Sequence, residues 1–338
     1  MKNIIYKYFL ILSVFSLSNF ACKNEPIFAA IEEEVKLKKQ SIQGLVLGIV
    51  KIGNTVYSAN PKNVFKKNVG DTGEWASISL PGGMCTSIAS DGTKLYATFL
   101  GYGAYVYDNG GWQKLSSPED VVQIVSGQSI IGINSSNEVF KLTGTNFTKM
   151  LNGGNAIKLD EGLKGGGGDY FADKSSVYSS ISGTKVPLSG VQNIKDVCEG
   201  NDPNKIFILT SSTLFHYDGS SLTLTSVKHQ VLSVWCMNYS KEKSLVLVGG
   251  SQGYKEVKVV GTSLTGAEVI SPGSVSSTTP PSCYNQYNNS VGKWLVRPIA
   301  LITTPKGYVI YAGVGGGDPK YTGLWGFYDP DQHEWNRE

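Results

Sequence analysis

The sequence predicts an all-β protein, a seven-bladed β-propeller of four-stranded blades, on three observations. Strand-like runs centred on Tyr57, Tyr96, Ile131, Tyr170, Phe207, Val246 and Ile310 recur at intervals of 39, 35, 39, 37, 39 and 64 residues. A unit of roughly 40 residues is the length of four short strands and their turns, which is one propeller blade. An aliphatic–aromatic pair follows five of these centres in step: Val64-Phe65, Val106-Tyr107, Val139-Phe140, Val177-Tyr178 and Leu214-Phe215. Turn signals separate the runs, and composition agrees. Forty glycines and 17% charged residues suit a turn-rich β protein, and a hydrophobic fraction of 41% is ample for a core.

The second repeat spells out the blade. Residues 86–89 read as a first strand, Ser90-Asp91-Gly92 as a turn, and residues 94–100 as a second strand. Residues 104–107 read as a third strand, Asp108-Asn109-Gly110-Gly111 as a turn, and residues 112–115 as a fourth. Asp-Gly and Asn-Gly favour hairpins because the tight turn needs positive φ, which these residues adopt at little steric cost. A single blade leaves both sheet faces uncovered. Stacking seven around an axis buries them and closes the ring.

The first 22 residues read as an export leader. Lys2 and Lys7 form a positive start, and residues 8–17 an apolar stretch too short to span a bilayer comfortably. Ala21 then precedes Cys22, and the pattern resembles a bacterial lipoprotein signal whose cysteine is lipidated. Asn19 and Phe20 depart from the usual lipobox, which resembles the degenerate form of spirochaetes; an ordinary secretory signal is the alternative. A lipid on Cys22 would anchor the protein without a spanning helix. Residues 23–43 read as a tether, either flexible or a short amphipathic helix with Ile27, Ile31 and Val35 on one side. The propeller is expected over residues 44–338.

Loss of Lys2 and Lys7 with the leader leaves the mature chain nearly neutral, so its overall field does not favour nucleic acid. Cys85, Cys198, Cys236 and Cys283 remain after the leader. Cys198 and Cys236 precede equivalent positions of adjacent repeats, which makes them a candidate disulfide; two buried thiols are the alternative.

The terminal repeat resembles a kelch blade, with Gly315-Gly316 as its diglycine and Tyr328-Asp329-Pro330 with Trp335 as its last hairpin. Asp108-Asn109-Gly110 before Trp112 and Asp71-Thr72-Gly73 before Trp75 resemble degenerate Asp-box turns of sialidase-type propellers. These resemblances imply architecture, and no function transfers with them.

The long sixth interval contains an insert, residues 271–296. Its Tyr284, Tyr287 and Trp294 offer the amphipathic contact area of recognition surfaces, and they are the candidate binding residues. A lid with its aromatics buried is the alternative.

Catalytic candidates are thin. His216 lies in a strand and reads as structural, His229 falls at a blade junction, and no nucleophile elbow or zinc motif occurs. The glycine run 165–168 reads as a flexible blade turn. Asp160, Glu161, Asp196, Glu199 and Asp202 lie near inner-strand ends, where a carbohydrate-active enzyme would need two opposed carboxylates. With Arg297 and Arg337 the only arginines, a sialidase-type arginine triad is lacking. The sequence therefore favours a non-catalytic, cofactor- and metal-free, monomeric scaffold at the bacterial cell envelope. It would bind an envelope or host protein or a glycan, with a hydrolase or lyase as the second reading.

Overall fold

In the computed structural model, the described residues are 40–219, 224–251, 253–260, 263–270, 295–315, 322–329 and 335–338. They form seven four-stranded antiparallel sheets. The innermost strands are Gly48–Ile52, Cys85–Ser90, Gln123–Val125, Gly165–Gly167, Asp196–Glu199, Val234–Ser240 and Leu295–Thr303. Each touches the next, and the last touches the first, so the blades form a ring. Within each sheet the strands follow chain order from the axis outward.

All seven expected centres fall in second strands, from Tyr57 in Thr55–Ala59 to Ile310 in Tyr308–Gly315. The five aliphatic–aromatic pairs fall in third strands, such as Val64–Asn68 and Val139–Thr143. Both are central strands, covered on both faces by adjacent blades. Ile206–Leu209 is accordingly buried at every position. Most outermost strands are short and polar, such as Gly111–Lys114 and Lys185–Val186, whereas Ser263–Ile270 of blade six is longer. The Asp108-Asn109-Gly110 turn joins third to fourth strand, with φ of 49° at Asn109 and 82° at Gly110.

Three readings change. The glycine run is an inner strand, Gly165–Gly167, not a turn. A Cβ at Gly166 would sit 2.6 Å from Val125 Cγ2 of blade three. At Gly165 or Gly167 it would collide with the backbone of blade five. The fourth blade is thus wedged between its neighbours with no room for side chains. Residues 40–43 belong to the body rather than to the tether. Ile42 is fully buried, and its N–H donates to the Glu338 carbonyl at 2.9 Å. Finally, Cys198 and Cys236 are free thiols, so the candidate disulfide is not formed. The Cys236 Sγ lies 3.4 Å from the Val296 carbonyl of blade seven, directed away from blade five.

Ring closure combines chain ends. Blade seven consists of residues near the C-terminus, and the segment 40–43 packs against its third strand through a Gln43–Gly323 bridge. The core of this junction is a buried ion pair between Lys67 of blade one and Glu338. The Glu338 carboxylate also accepts the Trp75 Nε1–H at 2.7 Å and the Tyr328 hydroxyl at 2.8 Å.

Candidate binding face

Every inner strand begins at one end of the ring, called here the upper face. The antiparallel order then places blade-to-blade loops and second-to-third-strand turns on that face, and all other turns on the lower one. The lower turns are short and rich in glycine and polar residues, such as Gly53-Asn54 and Asp91-Gly92-Thr93.

Seven of the ten exposed large apolar side chains among the described residues lie on the upper face beside inner or second strands: Leu45, Met84, Leu100, Tyr102, Val122, Leu232 and Trp235. They belong to blades one, two, three and six. The blade-two group is held by its backbone. The Leu100 N–H donates to the Met84 carbonyl at 2.8 Å, and the Tyr102 N–H to Phe99 O at 2.9 Å. The Tyr102 ring rests on Gly82 and Gly83, where any Cβ would collide with it or with the Leu100 carbonyl. Thr86 Oγ1 donates to the Val122 carbonyl at 2.9 Å and carries the surface across to blade three.

Polar side chains on inner strands fix adjacent blades together beneath this surface. The Ile124 N–H donates to Ser87 Oγ at 3.0 Å, Met237 N–H to Asp196 Oδ2 at 2.8 Å, and Leu301 N–H to Asn238 Oδ1 at 2.9 Å. Desolvation outweighs the bonds to Asp196 and pushes its carboxyl up to about 7.

Register shifts occur near the upper end of three inner strands, in blades two, six and seven. A bulge turns a residue out of the ladder. In blade six it holds Trp235, which is 44% exposed. In blade seven it spans Arg297 and Pro298, and the Arg297 guanidinium lies 5.5 Å from the Trp235 ring centroid. His229 braces the loop leading to Trp235. Its Nδ1 accepts the Val231 N–H at 3.1 Å, which assigns the proton to Nε2, 3.2 Å from the Thr210 carbonyl. Burial lowers its pKa and keeps the ring neutral.

The upper face is charged at blades three and four. Lys149 bridges Glu119 and Glu138, and Lys174 pairs with Glu161. These hydrogen bonds hold Glu138 and Glu161 below the usual carboxylate range.

The five carboxylates of the enzymatic reading do not converge. Asp160 and Glu161 lie at the upper end of blade four, and Glu161 is engaged by Lys174. Asp196 and Glu199 occupy opposite ends of one inner strand. Asp202 lies beyond it in a lower turn, paired with Lys205 at 3.0 Å. His216 is buried with its pKa lowered by desolvation, packed against Phe207 at 5.0 Å. Among the described residues no group of three or more His, Cys, Asp or Glu could hold a metal ion. Cys22, Tyr284, Tyr287 and Trp294 lie outside the described residues. Trp235 and Arg297 were missed by the sequence reading, because a bulge leaves no mark in a strand of ordinary composition.

The TP013X lipoprotein family model matches residues 1–213 and 217–338. The chain belongs to the TP013X lipoprotein family. That membership makes it a lipoprotein of the cell envelope. Similar proteins include two uncharacterized lipoproteins of Treponema pallidum (strain Nichols). One is 29% identical over 396 residues, covering 100% of both chains. The other is 28% identical over 367 residues, covering 94% of this chain and 93% of the relative. Among solved structures, the WD40 β-propeller domain of Doa1 superposes with a TM-score of 0.58 at 11% identity, covering 88% of this chain and 97% of that domain. The computationally designed Ika8 protein superposes with a TM-score of 0.54 at 12% identity, covering 84% of each chain. Identities this low carry the fold alone.

Proposed function

We propose that this lipoprotein is anchored through Cys22 and serves as a binding scaffold, engaging a protein partner at the envelope through the upper face of its propeller. The observation that carries the reading is the concentration of Leu45, Met84, Leu100, Tyr102, Val122, Leu232 and Trp235 on that one face. Apolar and aromatic side chains held on rigid turns, with charged groups beside them, are the makings of a protein interface. Leu295 and Val296 of the expected insert belong to the blade-seven inner strand, and the remaining residues 271–294 join the body at this face, between Ile270 and Leu295, which favours Tyr284, Tyr287 and Trp294 as further contacts. A ring also presents many loops at fixed spacing on one face.

The test is photocrosslinking in cells producing the full chain, with a photoreactive residue replacing Met84, Leu100 or Tyr102, or Thr93 or Asn109 on the lower face. A discrete adduct from the upper positions alone is expected. Equal labelling from both faces overturns the reading. Deleting residues 274–293 is expected to weaken the adduct; an unchanged adduct with an unchanged melting transition removes the insert from the contact. Palmitate labelling that disappears in Cys22→Ser checks the anchor.

A further inference from the structure

The upper face holds one pair unlike the rest. Trp235 and Arg297 come from the inner strands of blades six and seven, which places them at the mouth of the ring. Both occupy β-bulges, so neither side chain is buried in the core between blades. Both are exposed, with Leu232 beside them in the loop entering blade six. Only two arginines occur in the chain. Arg337 lies over Trp325 within blade seven. Arg297 lies on Trp235 and, among the described residues, has no carboxylate within ion-pair distance. Its charge reaches the buried Asp196, whose oxygens already accept the Met237 and Val197 N–H groups.

A guanidinium held over an indole by cation–π attraction can keep N–H donors free for a ligand. Such a fork matches a carboxylate bidentately, and the apolar indole edge and Leu232 accept a neighbouring hydrophobic group. Tryptophan and arginine are also the residues that most often dominate an interface when ringed by weaker apolar contacts. Here such contacts would come from Leu232 of blade six and Leu45 of the adjoining blade one.

We propose that Trp235 and Arg297 form the dominant contact of the upper face, and that the partner meets it with a protein segment carrying a carboxylate beside an apolar side chain. This rests on the upper face being the recognition surface, and names what that surface selects.

The test uses the detergent-solubilised full chain labelled with 5-fluorotryptophan, the Trp235 resonance being assigned with Trp235→Phe. It is titrated with N-acetyl-leucyl-aspartic acid α-amide and, separately, N-acetyl-leucyl-asparagine α-amide, so that the aspartate side chain is the one carboxylate that differs between them. A saturable shift of the Trp235 resonance with Kd on the order of millimolar is expected for the aspartate probe. Binding should weaken at least about tenfold for the asparagine probe and for Arg297→Gln, with Arg297→Lys intermediate. Melting curves establish that each variant is folded, and Arg297→Lys carries the comparison if Arg297→Gln does not fold. No saturable shift up to about 100 mM, or equal shifts for both probes, overturns the proposal. The crosslinks from Met84 and Leu100 separate the two levels. If they persist in Arg297→Gln, this assignment fails while the recognition face stands. If they are absent in the parent chain, the broader reading fails as well.

Discussion

The ring should depend on the buried carboxylate of Glu338 more than on any other single polar group. Three donors converge on it: Lys67 Nζ at 2.5 Å, Trp75 Nε1 at 2.7 Å and the Tyr328 hydroxyl at 2.8 Å. Lys67 and Glu338 are 4% and 2% exposed, so water cannot replace a lost partner. Replacing Glu338 by Ala leaves the Lys67 ammonium buried without its carboxylate, beside the neutral Tyr328 hydroxyl at 2.8 Å. It also strips Trp75 Nε1 of its acceptor. Breaking one side of a buried ion pair costs about 3–5 kcal/mol. With an unfolding entropy near 2.1 cal/mol/K per residue and roughly 300 residues in the body, that corresponds to a fall in Tm of about 5–8 °C. The assay is thermal unfolding followed by circular dichroism, with urea midpoints as a second measure. The paired variant Lys67→Met/Glu338→Leu removes both charges and should recover most of the loss, because desolvating an ion pair is itself costly. A Glu338→Ala protein melting within about 1 °C of the parent would refute the argument, since blades one and seven would then not be held by this cluster.

Three further outcomes are expected. Gly167→Ala should destabilise by at least about 2 kcal/mol in urea titrations, because its Cβ would meet immovable backbone of residues 198 and 199, whereas Gly111→Ala, with open space around it, should stay within about 0.5 kcal/mol. Glu256, 6% exposed, has its carboxyl pushed up to about 7 by burial alone. Folding therefore favours the protonated form, and stability falls as pH rises from about 4.5 to about 7; in Glu256→Gln that decline should shrink by up to about 3 kcal/mol, leaving the part due to Asp196. A parent and variant with parallel pH profiles of urea midpoint would contradict this. His229 has a depressed pKa, so the stability it contributes is present above about 6.5 and lost as pH falls below that value. Trp235 fluorescence should report loosening of the loop at residues 229–233 in the acid limb, and His229→Gln should remove the transition.

How far the sequence carried the fold depended on which strands were asked about. Second and third strands are covered on both faces, so their β-branched and aromatic runs are dense enough to count, and Tyr96, Phe207 and Val139 fell where the period placed them. Inner strands were harder. Asp196–Glu199 and Gly165–Gly167 carry polar residues or none, because they face a crowded axis where hydrogen bonds between blades, or the absence of any side chain, satisfy the packing. A glycine run looks the same in a turn and in a squeezed strand. Only the positions of Val125 and Val197 in the neighbouring blades distinguish them.

The same division applies to the candidate site. Exposure of Met84, Leu100 and Tyr102 cannot be read from residue type, since identical residues elsewhere are core, as Met237 and Tyr254 are. The pairing of Trp235 with Arg297 joins residues 62 positions apart through two bulges, and Lys67 with Glu338 joins opposite ends of the body. By itself the sequence determined the number of blades, their strand order and the resemblance to a lipoprotein, because those follow from local periods and short motifs. The tertiary structure decided which side chains meet across blades and which face is apolar. Those outcomes depend on closing the ring, and closure is a property of all seven blades together.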